Sequence, residues 1–310
     1  MLWLLLVFLA LSLAALTAVY LLVFGRARVP DYFSPEGLKK AGALAGAVEQ
    51  ARAWLSARET EEVWTDSDDG LRLHGLYVPA EHARGTVILF HSFRSSWKLD
   101  FAALFPFLGG LGYTLLLVDE RAHARSGGGV CTYGLWERYD VRAWVEYADD
   151  RMDFPDHPIY LAGFSMGAAA VLMAASLELP GNVRGILADS AYTSPRALFE
   201  HVASEALPLP KSWTTAVLDF LLRLRLGVGL ADCDTTVTLS ETDYSVLFLH
   251  GKADRTVPWQ MTQRAYEACA GEAEVLYAEN AGHGMAFLTE RERAERAIAA
   301  FLEKHRFDWG

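Results

Sequence analysis

Gly163-Phe164-Ser165-Met166-Gly167 stands where a buried strand turns abruptly into a helix. Ahead of it runs His157-Pro158-Ile159-Tyr160-Leu161-Ala162, a short series of β-formers entered through a proline. Behind it runs Ala168-Ala169-Ala170-Val171-Leu172-Met173-Ala174-Ala175, small and strongly helix-forming. A G-x-S-x-G pattern in that setting reads as a nucleophile elbow. Its glycines let strand and helix pack with almost no loop, and its serine is held on a strained, exposed turn. There the hydroxyl can meet a histidine, while the start of the helix favours developing negative charge. The pattern alone is weak, because Gly and Ser are common residues. The strand before it and the helix after it make it informative.

Working outward, Tyr244-Ser245-Val246-Leu247-Phe248-Leu249-His250-Gly251 reads as a second buried strand, with Asp254 just past its C-terminal end. Residues 273–277 read as another, followed by the loop Asn280-Ala281-Gly282-His283-Gly284. A serine, a carboxylate and a histidine in that chain order are the parts of an activated nucleophile. Ser165 is expected to attack a carbonyl carbon, His283 to carry its proton, and Asp254 to hold the imidazole tautomer. Asp189, directly after the strand at 185–188, is a rival for the acid.

The chain resembles α/β-hydrolases of the serine aminopeptidase-like group, and within it the bacterial membrane-anchored members. The resemblance spans roughly residues 60–305 and is carried by His91-Ser92-Phe93, Asp119-Glu120-Arg121-Ala122-His123, the elbow, His250-Gly251-Lys252-Ala253-Asp254 and Gly282-His283. It implies an oxyanion hole made by the backbone N–H of Met166 and, by position in the loop after the strand at 86–90, that of Phe93. That loop usually begins His-Gly in the family. Ser92 departs from the pattern by adding a Cβ at a crowded turn and restricting access to positive φ. Its hydroxyl is a second possible donor. Halide and epoxide hydrolases resemble the chain too, but carry Asp where Ser165 stands.

The remaining chain organises around these motifs. Glu62-Val63-Trp64-Thr65 and Leu71-Arg72-Leu73-His74-Gly75-Leu76-Tyr77 read as an antiparallel hairpin. Short runs of Val, Ile and Leu then alternate with helical segments, near 100–109, 135–150 and 166–177. That alternation predicts a mostly parallel sheet with helices on both faces. It breaks at about 190–240, where two apolar helical stretches flank Pro208-Leu209-Pro210 and read as a small helical cap over the site. Leu209 and Trp213 are expected to face an acyl cleft or the cap interior. Arg94, Lys98, Arg121 and Arg125 fall in loops near the mouth and are candidates for a substrate carboxylate or phosphate, Arg94 foremost. His91 and His123 read as packing or hydrogen-bonding residues.

Residues 2–24 carry no charge, and at ~1.5 Å per residue they are long enough to cross a bilayer. No basic stretch precedes them and no small-x-small site clearly follows, which favours an uncleaved anchor over a secretory signal. Residues 25–58 then form a juxtamembrane linker with a helix after Pro35, and 59–310 the hydrolase domain. A chain beginning near Pro30 is expected to be soluble and active. Arg26, Arg28, Lys39 and Lys40 all follow the span, which narrowly favours a cytoplasmic body. Three cysteines form no paired framework.

A net charge of −11, with no basic run interleaved with aromatics, argues against a nucleic-acid partner. No zinc-ligand spacing, dinucleotide fingerprint or phosphate loop occurs, so neither metal nor cofactor is implied. The expected partners are a small-molecule or lipid acyl ester and the lipid bilayer. The expected reaction is hydrolysis of a carboxylic ester or thioester through an acyl-enzyme. Peptidase activity and a catalytically silent binding protein on the same fold stand as alternatives.

Overall fold

A computed structural model describes residues 2–151, 157–206 and 211–306. Three helices come first: α1 (Leu2–Phe24), α2 (Pro35–Lys40) and α3 (Ala45–Ser56). The hairpin β1 (Glu61–Asp66) and β2 (Arg72–Val78) follows, then β3 (Thr86–Phe90), α4 (Trp97–Asp100), α5 (Leu104–Gly110), β4 (Thr114–Val118) and α6 (Glu137–Asp150). Next come β5 (Ile159–Phe164), α7 (Met166–Ala174) and β6 (Val183–Asp189). The cap helices α8 (Pro195–Ala206), α9 (Lys211–Leu226) and α10 (Thr235–Ser240) separate β6 from β7 (Val246–Gly251). The chain closes with α11 (Trp259–Ala268), β8 (Ala273–Ala278), α12 (Ala286–Thr289) and α13 (Arg291–Lys304).

The eight strands form one sheet in the order β1-β2-β4-β3-β5-β6-β7-β8. Pairings at β1–β2 and β2–β4 are antiparallel and all others parallel, as the alternation in sequence predicted. Period-two placement of side chains splits each central strand between two cores. Val87 and Leu89 of β3 pack with Leu115, Leu117, Phe105 and Phe301 on one face. Ile88 and Phe90 pack with Leu116, Val118, Trp144 and Val171 on the other. Because both faces are covered, the strands read as unbroken apolar runs, which is why sequence alone could find them. The helix expected near 100–109 is instead two short ones, joined by turns at residues 101–103.

The sheet reverses its strand order around β3, with β4 on one side and β5 on the other. The crevice at the C-terminal ends of β3 and β5 is therefore the switch point where open α/β sheets bind ligands. The pairing Phe90↔Gly163 brings the loop after β3 beside the elbow after β5.

A third apolar cluster lies at this end, beneath the cap. It joins Leu198 of α8 and Leu218, Leu221 and Leu222 of α9 to Met166, Tyr133 and Tyr192, and to Tyr20 and Phe24 of α1. The segment that follows α1 is accordingly not a slack linker. Phe24 is fully buried, Gly25 bridges to Val130, and the Arg26 guanidinium donates to the carbonyls of Ala124, Ser126 and Gly128. Val48 and Ala51 of α3 are buried against the first core. Composition had marked residues 25–58 as a connector because they are alanine-rich and weakly patterned. Their packing depends on neighbours distant in sequence.

Candidate active site

The elbow is built as its sequence requires. Ser165 adopts φ 54° and ψ −107°, a strained conformation for a residue with a side chain, and its N–H donates to Asp189 O at 2.9 Å. A Cβ on Gly163 would lie 2.5 Å from the Ala168 backbone, and one on Gly167 would lie 2.0 Å from Phe90 O. Only glycine lets α7 approach β5 and β3 so closely. The result presents Ser165 Oγ at the head of α7.

His283 arrives from the loop after β8, and Asp254 from the loop after β7. His283 Nε2 lies 3.0 Å from Ser165 Oγ, and His283 Nδ1 lies 2.6 Å from Asp254 Oδ2. The three residues singled out in the sequence thus meet in one hydrogen-bonded line. Asp254 Oδ1 accepts the N–H groups of Thr256 and Val257 at 2.8 and 2.9 Å, which fixes the carboxylate plane. Burial alone would raise the pKa of Asp254. Hydrogen bonds from His250 and His283, the nearby His283 charge and the Val257 amide outweigh burial and hold it well below the usual carboxylate range. His250 belongs to the motif that carries Asp254, but sequence reasoning gave it no role of its own. It is fully buried, with Nε2 3.2 Å from Asp254 Oδ2 and 2.9 Å from Val257 O, and Nδ1 2.7 Å from Thr262 Oγ1.

Asp189, the rival acid, makes no hydrogen bond to His283 among the described residues. Its Oδ1 accepts from Ser190 Oγ at 2.8 Å, and burial raises its pKa to about 6 against that bond and the charges of His250 and His283. It lines a mostly apolar cavity of about 100 Å³ that also touches Asp100, Phe164, His283 and Met285.

The loop after β3 is held by three side chains, the half-buried Asp100 and the buried His91 and His123. Ser92 N–H donates to Asp100 Oδ2 at 2.7 Å, and Ser92 O receives His91 Nδ1–H at 2.8 Å. Arg94 N–H donates to His123 Nε2 at 2.9 Å. Burial, then the neighbouring His123, pushes His91 down to about 3, and burial lowers His123 as well, so both rings serve as neutral clamps. The backbone groups flanking Phe93 are tied. Among the described residues, the Phe93 and Met166 N–H groups have no protein acceptor. Ser92 needs no left-handed backbone, since the positive φ in this loop falls on Arg94 (56°). The Ser-for-Gly departure therefore costs no strain there.

The candidate substrate contacts are used differently from what the sequence suggested. Arg94 Nη2 donates to Leu22 O at 2.5 Å, at the end of α1, and its guanidinium lies 4.9 Å from the Phe93 ring centroid. Buried Arg121 is gripped by Asp140 and Asp69, while Arg125 pairs with Glu62 and Lys98 with Asp31. Trp213 points outward, 72% exposed, rather than into a cleft. Leu209 lies outside the described residues. Among the described residues, no group of three His, Cys, Asp or Glu side chains is arranged to hold a metal ion.

Comparison with known proteins agrees with this architecture. The family described as alpha/beta hydrolase fold matches residues 85–232, and one described as TAP-like protein matches residues 232–308. This chain belongs to the α/β-hydrolase superfamily. Uncharacterized protein YqkD of Bacillus subtilis is 26% identical over 234 residues, covering 76% of each chain. Uncharacterized protein YfhR of Escherichia coli K12 is 22% identical, over 73% of this chain and 74% of that one. Among solved structures, the Pyrococcus furiosus esterase Pf2001 superposes with a TM-score of 0.68 at 22% identity, covering 91% of this chain and 98% of its own. Est1E of Butyrivibrio proteoclasticus, solved with bound ferulic acid, gives 0.59 at 18% identity over 78% and 98%. These solved structures share the fold. The family match supports a hydrolase, and esterases are among the structural neighbours.

Proposed function

We propose that the chain is a membrane-anchored serine hydrolase that cleaves carboxylic esters or thioesters through an acyl-enzyme. The observation that carries this reading is the unbroken hydrogen-bonded line from Ser165 Oγ through His283 to Asp254. In the first half-reaction Ser165 Oγ attacks the acyl carbon as its proton passes to His283 Nε2. The oxyanion is met by the N–H groups of Met166 and Phe93, whose freedom from protein acceptors supports the assignment. Collapse expels the alkoxide or thiolate, which takes the proton from His283. Water then repeats the sequence on the acyl-enzyme and releases the acid. Asp254 stays ionised throughout and steadies the transient imidazolium.

In this reading α1 is the anchor. Its apolar span, residues 3–24, has a mean hydropathy of 2.6 and is mostly exposed, with Tyr20 and Phe24 of its last turns buried against the body. The basic residues after it favour a cytoplasmic body. The substrate class is a small-molecule or lipid acyl ester.

A fluorophosphonate probe tests the chemistry. The full-length chain should label, and Ser165→Ala should not. Equal labelling of that variant would remove Ser165 from its role. Faster turnover of aminoacyl amides than of p-nitrophenyl esters would replace the esterase reading with a peptidase.

A further inference from the structure

The cap carries an apolar stripe on its outer face. Trp213, Val217, Phe220 and Leu224 of α9 are 72%, 42%, 59% and 66% exposed. At about 100° per residue these positions fall within an arc of about 60°, and they run roughly 16 Å along the helix. The inner face of the same helix is separately satisfied, because Leu218, Leu221 and Leu222 are buried in the cluster beneath the cap. Outside α1, only Val202 and Val237 join these four among the described large apolar side chains that are exposed. The exposure is therefore concentrated on one helix face, where a soluble protein would place polar residues.

What lies against this stripe follows from the neighbour of α9. Its inner leucines share a cluster with Tyr20 and Phe24, and the Arg225 guanidinium sits 5.2 Å from the Tyr20 ring centroid. Those two aromatics occupy the last turns of the apolar span, with about 6 Å of rise between them. In a bilayer crossed by α1, that level is the junction of hydrocarbon and headgroups, where aromatic and basic side chains concentrate. A helix packed at that depth, with Trp213 and Phe220 outward and Arg223 and Arg225 exposed along it, has the composition of one lying in the interface plane.

We infer that the outward face of α9 is seated in the lipid leaflet beside α1, so that the cap rests on the membrane and the hydrolase draws its ester from the lipid phase. The second half of this statement rests on the serine-hydrolase reading above. The first half stands without it.

The test uses the full-length chain in phosphatidylcholine vesicles. With Cys269→Ser to remove the one native thiol that is not buried, single cysteines at Phe220→Cys and Leu224→Cys are labelled with an environment-sensitive fluorophore. Glu178→Cys, on the turn after α7, serves as the reference. Seating in the leaflet predicts blue-shifted emission at 220 and 224, quenched several-fold more by lipids carrying a nitroxide near the headgroup than at 178. Aqueous iodide quenching equal at all three sites overturns it. Protection from both quenchers, with cross-linking between labelled chains, overturns it in favour of a second copy of this chain covering the stripe.

The triple variant Val217→Ser, Phe220→Ser and Leu224→Ser gives the catalytic arm. It should keep turnover of a soluble acetate ester within about two-fold and lose about ten-fold or more on a long-chain ester held in vesicles. Equal loss on both substrates overturns the lipid-phase supply. Failure of the wild type and the variants alike to label with the fluorophosphonate probe would indict the active-site reading, while the fluorophore data would still decide where α9 lies.

Discussion

The polar line at Ser165 and the apolar wall of Tyr20, Phe24, Tyr133 and Phe199 stand on either side of the same loop, yet they are specified in opposite ways. Each polar member is fixed by a few directional contacts: two amides and two imidazoles on Asp254, one backbone carbonyl on the Ser165 amide, two neutral histidines on the Phe93 turn. The apolar wall has no directional code. Phe24 packs edge-on to Tyr133 and Phe199, each at 6.0 Å, and Tyr133 in turn lies 4.8 Å from Phe93. Polar geometry tolerates almost no substitution and leaves local sequence signatures. Packing tolerates many side chains and leaves a signature only in three dimensions.

The sharpest way to break this contrast is on the polar side. Ser165→Ala and His283→Ala should each lower kcat for an ester by about 10⁶-fold, and Asp254→Asn by about 10⁴-fold through the wrong imidazole tautomer. The measurement is steady-state hydrolysis of a p-nitrophenyl ester. None of these variants should change KM by more than a few-fold.

On the apolar side the expected loss is in stability instead. Phe24→Ala leaves a hole in a fully packed cluster and should cost about 3–5 kcal/mol, read by chemical denaturation in detergent. A chain beginning at Pro30 loses Phe24, Gly25 and Arg26 together, so it should be less stable still and prone to aggregate. That revises the expectation of a soluble, active truncation. A truncated chain with undiminished stability would mean that α1 and the body are separable after all.

A smaller effect separates the two acids near His283. Asp189→Asn should leave ester turnover within about three-fold, since Asp189 holds Ser190 and not the imidazole. Its folded pKa of about 6 exceeds the unfolded value of 3.8, so the native carboxyl keeps a proton that the unfolded chain releases. Stability from this group is full below 3.8 and falls as pH rises to about 6, by at most about 3 kcal/mol. The Asn variant should abolish that fall and gain on the wild type at pH 8, as differential denaturation at pH 5 and pH 8 will record. The smallest effect belongs to Ser92→Gly. Its amide is already committed to Asp100, so activity should stay within about three-fold. A ten-fold drop, near 1.4 kcal/mol, would instead give the hydroxyl a part in the oxyanion hole.

The same contrast explains what could be read beforehand. Strands β3 to β7 were legible because both of their faces are buried, and the elbow because strand, serine and helix all had to be in place around its two glycines. Asp254 and His283 were legible because each sits just past a strand that could itself be recognised. The outward direction of Trp213 was not, since α9 is apolar on two faces and periodicity cannot say which one faces the protein. Nor was the partner of Arg94, because a helix end 72 residues away supplies it. The histidine clamps were seen only as hydrogen-bonding residues. Their grip on Ser92 and Arg94 depends on β3 and β4 lying side by side.

The hooks that Arg26 throws onto three loop carbonyls remove all slack from the connection between α1 and the body. A protein on a loose tether sweeps a volume and samples whatever diffuses past. With no such reach, an enzyme seated by α1 would meet substrate only by lateral drift. Its rate would then follow the mole fraction of ester among the surrounding lipids and ignore the volume of buffer, so that adding inert lipid slows it and adding water does not.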